Sequence, residues 1–165
     1  MNILKSFAAV AGAVFLSISP VAAENSYELL QAVNRTGVDV RINSNECNGN
    51  FLGMFRHNSN LTAGQMVLCP GRVVDNIDHL TVKHEAMHLI QACVNYSRGT
   101  TYETPVMSLD TLVEMVNQHV PAEEVTFIKA NYDRSDWLVE FEAHLAEHEY
   151  SYDFLINMLN EACFQ

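Results

Sequence analysis

From Ile77 to Ser97 the chain contains neither glycine nor proline, and apolar residues fall on every side of the helix this implies: Leu80, Val82, Met87, Leu89, Ile90 and Val94. A helix that is apolar all round has no face to give to solvent, so it must be surrounded by other elements. Gly99 is the expected stop. A chain of 165 residues can build one ordinary domain around such a helix. With 48% hydrophobic residues, the composition is that of a globular chain.

Short elements flank this helix. Tyr27 to Val33 reads as a helix. Val38 to Ile42 alternates with period two, the mark of a strand. Phe51 to Arg56 and Gln65 to Cys69 are further strands, separated by the turn residues Asn48-Gly49-Asn50 and Ala63-Gly64. Downstream, Ser108 caps a helix running to about His119, and Pro121 fits the first turn of another ending near Tyr132. Ser135 or Asp133 caps a last long helix that reaches Cys163 with a break near Ser151. The expected class is α+β: a small antiparallel sheet in the N-terminal third, then a helical body around the central helix.

The first residues read differently. Lys5 precedes an apolar, small-residue stretch from Phe7 to Ile18, Pro20 breaks it, and Val21-Ala22-Ala23 offers a cleavage site. That order describes a secretory signal peptide over residues 1–23, with a single domain over 24–165. The stretch is shorter than the roughly 20 residues that span a bilayer, and no later segment is expected to span one. Secretion to an oxidising compartment, extracellular or periplasmic, makes two disulfides the default for Cys47, Cys69, Cys93 and Cys163. Of three connectivities, Cys47–Cys69 and Cys93–Cys163 is preferred: the first ties one loop-rich segment, the second ties the central helix to the chain's end. A net charge of −11 argues against nucleic acid as a partner.

The central helix carries His84-Glu85-Ala86-Met87-His88. Four residues apart, the two imidazoles lie on one helix face, one turn apart, as two ligands of one Zn2+ ion require. Glu85 lies beside them, able to reach a water on the metal without binding it. This is the HExxH arrangement. Zinc lowers the pKa of such a water to about 7 and polarises a carbonyl, while the carboxylate takes the proton and passes it to the leaving amine. Buried imidazoles and a carboxylate on a core helix are costly without such a partner.

Zinc needs a third protein ligand. The extended motif HExxHxxGxxH fails here, because its later positions are Gln91 and Val94. Downstream stands Trp137-Leu138-Val139-Glu140-Phe141-Glu142-Ala143-His144. With this segment the chain resembles the gluzincin-type zinc metallopeptidases, whose second helix reads E-x-x-A-D or E-x-E-A. The likeness covers two short motifs, about residues 78–93 and 137–148. It implies a zincin-like fold, zinc, and hydrolysis of a peptide or protein substrate. It also implies His84 and His88 as ligands, Glu85 as base, and a third ligand from Glu140 or Glu142. Where many members carry Asp four residues after the ligand Glu, this chain has His144. Glu140 is the choice, because it takes the first place of the E-x-x-A pattern and stacks one and two turns before His144 and His148. Glu142 is then a solvated residue or an acceptor for a ligand histidine.

His144, His148, Tyr102 and Tyr150 are the candidates to stabilise an oxyanion. Strands such as Gln65 to Cys69 or Arg72 to Val74 are candidates to bind an extended peptide. The alternative to a secreted zinc peptidase is a zincin-like domain that binds metal or a partner without turnover.

Overall fold

The computed structural model describes residues 20–47, 51–58, 64–69, 79–100 and 104–164, with side chains from residue 26 onward. The expected signal segment and the strand at Arg72 to Val74 fall outside the described residues, apart from the end of the former.

The class is α+β. Helix α1 (Pro20–Arg35) leads into β1 (Asp39–Ile42), β2 (Gly53–His57) and β3 (Gly64–Leu68). Helices α2 (His79–Ser97), α3 (Leu109–His119), α4 (Ala122–Asn131), α5 (Trp137–Glu149) and α6 (Tyr152–Cys163) follow. Among the described residues the expected helices and strands are present, most within a few residues of the expected bounds, although α1 begins at Pro20, well before Tyr27.

The sheet is not the antiparallel one expected. Its order is β1-β3-β2, with β2 antiparallel to β3 but β1 parallel to it. The β2–β3 hairpin docks on β1 through its second strand, so β3 becomes the centre. Met66, Val67 and Leu68 are accordingly buried completely. A central strand has no free edge, so β3 cannot be the peptide-binding strand; β1 and β2 are the edges, and β2 is the one packed on α2.

Helix α2 lies at the centre, packed on α1, α5, α6 and β2. The main core joins Leu29 and Val33 of α1, Met66 and Leu68 of β3, Met87 and Ile90 of α2, and Leu155 and Leu159 of α6. Each such side chain, wholly buried, stabilises the fold by about 2 kcal/mol. A smaller cluster of Leu112, Val116, Val120 and Leu145 holds α3 to α5. Gly99, at φ +69°, ends α2, and Asn95 accepts from the hydroxyls of Thr100 and Thr104 there.

Helix α5 departs from expectation at two points. Neither Ser135 nor Asp133 caps it. Its N-cap is Asp136, already near-helical at φ −97° and ψ −12° and making no side-chain cap bond. The preceding turn is held instead by Asp136 N–H to the Asp133 carbonyl and by the Trp137 indole N–H to the Tyr132 carbonyl. The apolar spacing of Trp137, Leu138, Phe141 and Leu145 predicts that these form the inward face, but the buried face is different. Val139, Glu140, Glu142, Ala143, Leu145 and Ala146 are inside, whereas Leu138 is exposed. The helix is sandwiched between α2 on one side and α3 and α4 on the other, so both Glu140 and Glu142 are enclosed. At the next break the Ser151 side chain accepts from Phe154 N–H and starts α6.

All four cysteines are paired, Cys47 with Cys69 and Cys93 with Cys163. The second pair spans 70 residues and joins α2 to α6. Closing a loop of that size removes about 4 kcal/mol of unfolded-chain entropy, against about 3 kcal/mol for the shorter one. The double variant Cys93→Ala/Cys163→Ala is therefore expected to unfold at least about 10 °C below wild type in a thermal melt. An unchanged melting temperature would show that packing alone holds α6 on α2. Among the described residues, no helix is long and apolar enough to cross a membrane.

Candidate metal centre

The contact between α2 and α5 builds the site. Ala143 and Ala146 present small side chains in this core, and Glu140 sits among the histidines of α2. The Nε2 atoms of His84 and His88 face each other at 3.1 Å. Glu140 Oε2 lies 3.4 Å from His84 Nε2, and its Oε1 lies 3.5 Å from His88 Nε2. A tetrahedral ion with bonds of 2.0–2.1 Å holds its ligand atoms about 3.3–3.4 Å apart. The three donors already stand at nearly those edges. Glu140 Oε2 is buried with no hydrogen-bond partner, a costly arrangement that a cation would satisfy. On both counts the residues fit a zinc ion.

The other ring nitrogens decide which atoms can bind metal. His84 Nδ1 is 2.7 Å from Glu147 Oε1, and His88 Nδ1 is 2.8 Å from Gln91 Oε1. An ionised carboxylate and an amide oxygen can only accept, so both Nδ1 atoms donate and the two inward Nε2 atoms are the ones free to bind a metal once they give up any proton. Gln91 is itself fixed, donating through Nε2 to Glu142 Oε2 and to the Val139 carbonyl. Glu142 in turn accepts from the backbone N–H groups of Val106 and Met107. Glu142 is thus enclosed and already accepts three hydrogen bonds, not solvated. It anchors Gln91, which orients His88.

Charge follows from this geometry. Burial works against a charged His84. The adjoining carboxylates of Glu140 and Glu147 and the charge of Glu85 outweigh it and push the metal-free group up to about 10. Burial on its own would raise Glu140, but His84 and His88 hold it below the usual carboxylate range. Glu85 goes the other way: burial pushes it up to about 7, against the pull of His84 and of the Phe55 N–H that bonds its carboxylate. The Leu52 carbonyl accepts from Cys69 N–H, so Leu52 faces β3. Alternation then turns the Phe55 N–H to the outer edge, toward Glu85.

A cleft of about 250 Å³ opens beside the site, lined by Leu52, Gly53, His84, Glu85, Phe127, Tyr132, His144 and Glu147 among others. Among the oxyanion candidates, His144 is in this cleft, its ring 4.9 Å from that of His84. A donor of His144 also comes within 4.8 Å of donors on His84 and Glu140. His148 bonds Glu124 at the rim. Tyr150 packs on the main core against Phe154, and Tyr102 lies outside the described residues. The phenol within reach is Tyr132, at the end of α4. Burial, the charges of Glu140 and Glu85, and a hydrogen bond to Glu140 raise its pKa, so it stays protonated.

Tyr132, Glu147 and Gln91 are functional candidates that sequence reasoning misses. Gln91 is three residues after His88 and Glu147 three after His144, spacings that place each beside a histidine on its own helix. Tyr132 has no comparable signal, because only tertiary packing brings it to the cleft. Comparison with protein-family models, curated proteins and solved structures finds no match to this chain.

Proposed function

We propose that the chain is a zincin-like zinc metallopeptidase of the gluzincin kind, secreted or periplasmic, with His84, His88 and Glu140 holding the metal and Glu85 as general base. One observation carries the reading. Two inward imidazole nitrogens and a buried carboxylate with an unsatisfied oxygen converge at metal-ligand spacing, directly beside the Glu85 carboxyl in a cleft. Zinc held by that set supplies Lewis acidity toward a carbonyl and lowers the pKa of a water to about 7.

The chain's own residues do the rest. Glu85 accepts a proton and delivers it to the leaving nitrogen from its place in the cleft wall beside the ligands. Tyr132, held protonated, can donate to an oxygen that gains charge. Phe51, Leu52 and Phe127 give the cleft apolar walls. The edge strand β2 borders the cleft and offers an extended peptide a place to add. Two disulfides accord with an oxidising compartment. Zinc content and turnover of a broad peptide library, measured on the oxidised protein and on Glu85→Gln, test the proposal. Bound zinc without turnover in wild type would leave a metal-binding domain with no peptidase activity.

Gly53 supplies a second test. A Cβ added there would lie 2.5 Å from Glu85 Oε1 and 2.8 Å from Glu85 Cγ, and would also strike Thr81. The start of β2 cannot shift freely, since it is paired to β3. Gly53→Ala is therefore expected to displace the base while sparing the ligands. Turnover should fall by about 100-fold, the scale of an ångström misplacement, with zinc content unchanged. Undiminished turnover would mean that Glu85 does not work from this position.

A further inference from the structure

We propose a second divalent-cation site, held by Glu124, His144 and His148 with Glu147 as the carboxylate linking it to the first. The segment His144-Leu145-Ala146-Glu147-His148 is the HExxH order reversed. On α5 it sets two imidazoles one turn apart, as His84 and His88 are on α2. Glu124 reaches them from the first turn of α4. Its Oε2 lies 3.1 Å from His144 Nδ1 and 2.9 Å from His148 Nε2. Glu147 Oε1 lies 3.7 Å from His144 Nδ1. Donors of Glu124, His144 and Glu147 all fall within 4.8 Å of one another.

These separations straddle the edge expected of ligands on one zinc ion, about 3.3 Å. Two imidazoles with carboxylates suit zinc, whereas magnesium and calcium prefer all-oxygen sets. The side chains are half-buried, from 12% to 29% exposed, so the ligands are packed yet an ion can reach them from solvent. The site is distinct from the first, whose donors are the Nε2 atoms of His84 and His88 and the carboxylate of Glu140. It is coupled to it, since Glu147 Oε1 also accepts from His84 Nδ1. The competing account is a set of plain histidine–glutamate ion pairs.

Zinc titration separates the two. Chelator-stripped, oxidised protein is dialysed against micromolar Zn2+ and its metal counted by mass spectrometry, with circular dichroism confirming the fold of each variant. Wild type is expected to hold two equivalents. His148→Ala and Glu124→Gln, both at the rim, should hold one, and His88→Ala should keep the equivalent that they lose. Loss of affinity at the second site should be at least about 100-fold. One equivalent in wild type that survives both rim substitutions would overturn the proposal, as would two equivalents that survive them. One equivalent lost in His148→Ala but kept in His88→Ala would uphold this site and overturn the metallopeptidase centre instead.

Discussion

Glu85→Gln is expected to retain its zinc and to lose at least about 100-fold in peptide turnover, the typical contribution of a general base. The amide has the shape of the carboxylate and its oxygen can still accept from the Phe55 N–H, so the cleft keeps its form. What it cannot do is take a proton and give it back. Stability should move the opposite way. The folded protein raises Glu85 to about 7 through burial, above its unfolded value. A carboxyl raised in the folded state favours folding when protonated, and that advantage is lost as pH climbs through about 7. The glutamine never ionises, so metal-free Glu85→Gln should melt at or above the wild-type temperature at pH 8. A stable, inactive protein with full zinc is the expected result. Wild-type turnover in this variant would remove Glu85 as the base, and the peptidase reading with it.

The parts of this fold legible in the sequence are those set by local chemistry. The central helix announces itself by an uninterrupted apolar run, its end by Gly99, and later helix starts by Ser108 and Ser151. The disulfide pairing follows because each bridge ties segments that the element order already brings together. Strand order is not local. Nothing in the connection between β1 and β2 says that β3 will slot between them. The available sign was the run Met66-Val67-Leu68, which lacks alternation because a central strand is enclosed on both faces. The same limit applies to the site. HExxH fixes His84, Glu85 and His88 on one helix, but the surroundings of Glu142 depend on how α5 packs on α2 and on the segment before α3. Periodicity placed Trp137, Leu138, Phe141 and Leu145 inward; a helix sandwiched on two sides has no single apolar stripe for it to find.

Glu140→Ala and Glu142→Ala are expected to fail in different ways, and the contrast assigns the third ligand. Glu140 touches both imidazoles at 3.4–3.5 Å, and its Oε2 has no hydrogen-bond partner. Removing it deletes a ligand without orphaning a backbone donor. Zinc affinity should drop by more than 100-fold, beyond the 10- to 100-fold typical of losing a residue that merely orients a ligand. The metal-free protein should stay folded. Glu142 has the reverse profile. It is wholly buried and accepts from Val106 N–H, Met107 N–H and Gln91 Nε2. Alanine there strands three donors at about 1 kcal/mol or more each, so the metal-free fold should lose about 3 kcal/mol and melt roughly 10 °C lower. Its effect on zinc passes only through Gln91 to the orientation of His88, and should stay within the 10- to 100-fold range. Zinc titration and thermal melts of both metal-free variants give the comparison. If Glu142→Ala strips the metal while Glu140→Ala keeps it, the assignment reverses. If neither weakens zinc, the third ligand lies elsewhere, and His144, with a donor within 4.8 Å of His84 and Glu140, is the next residue to remove.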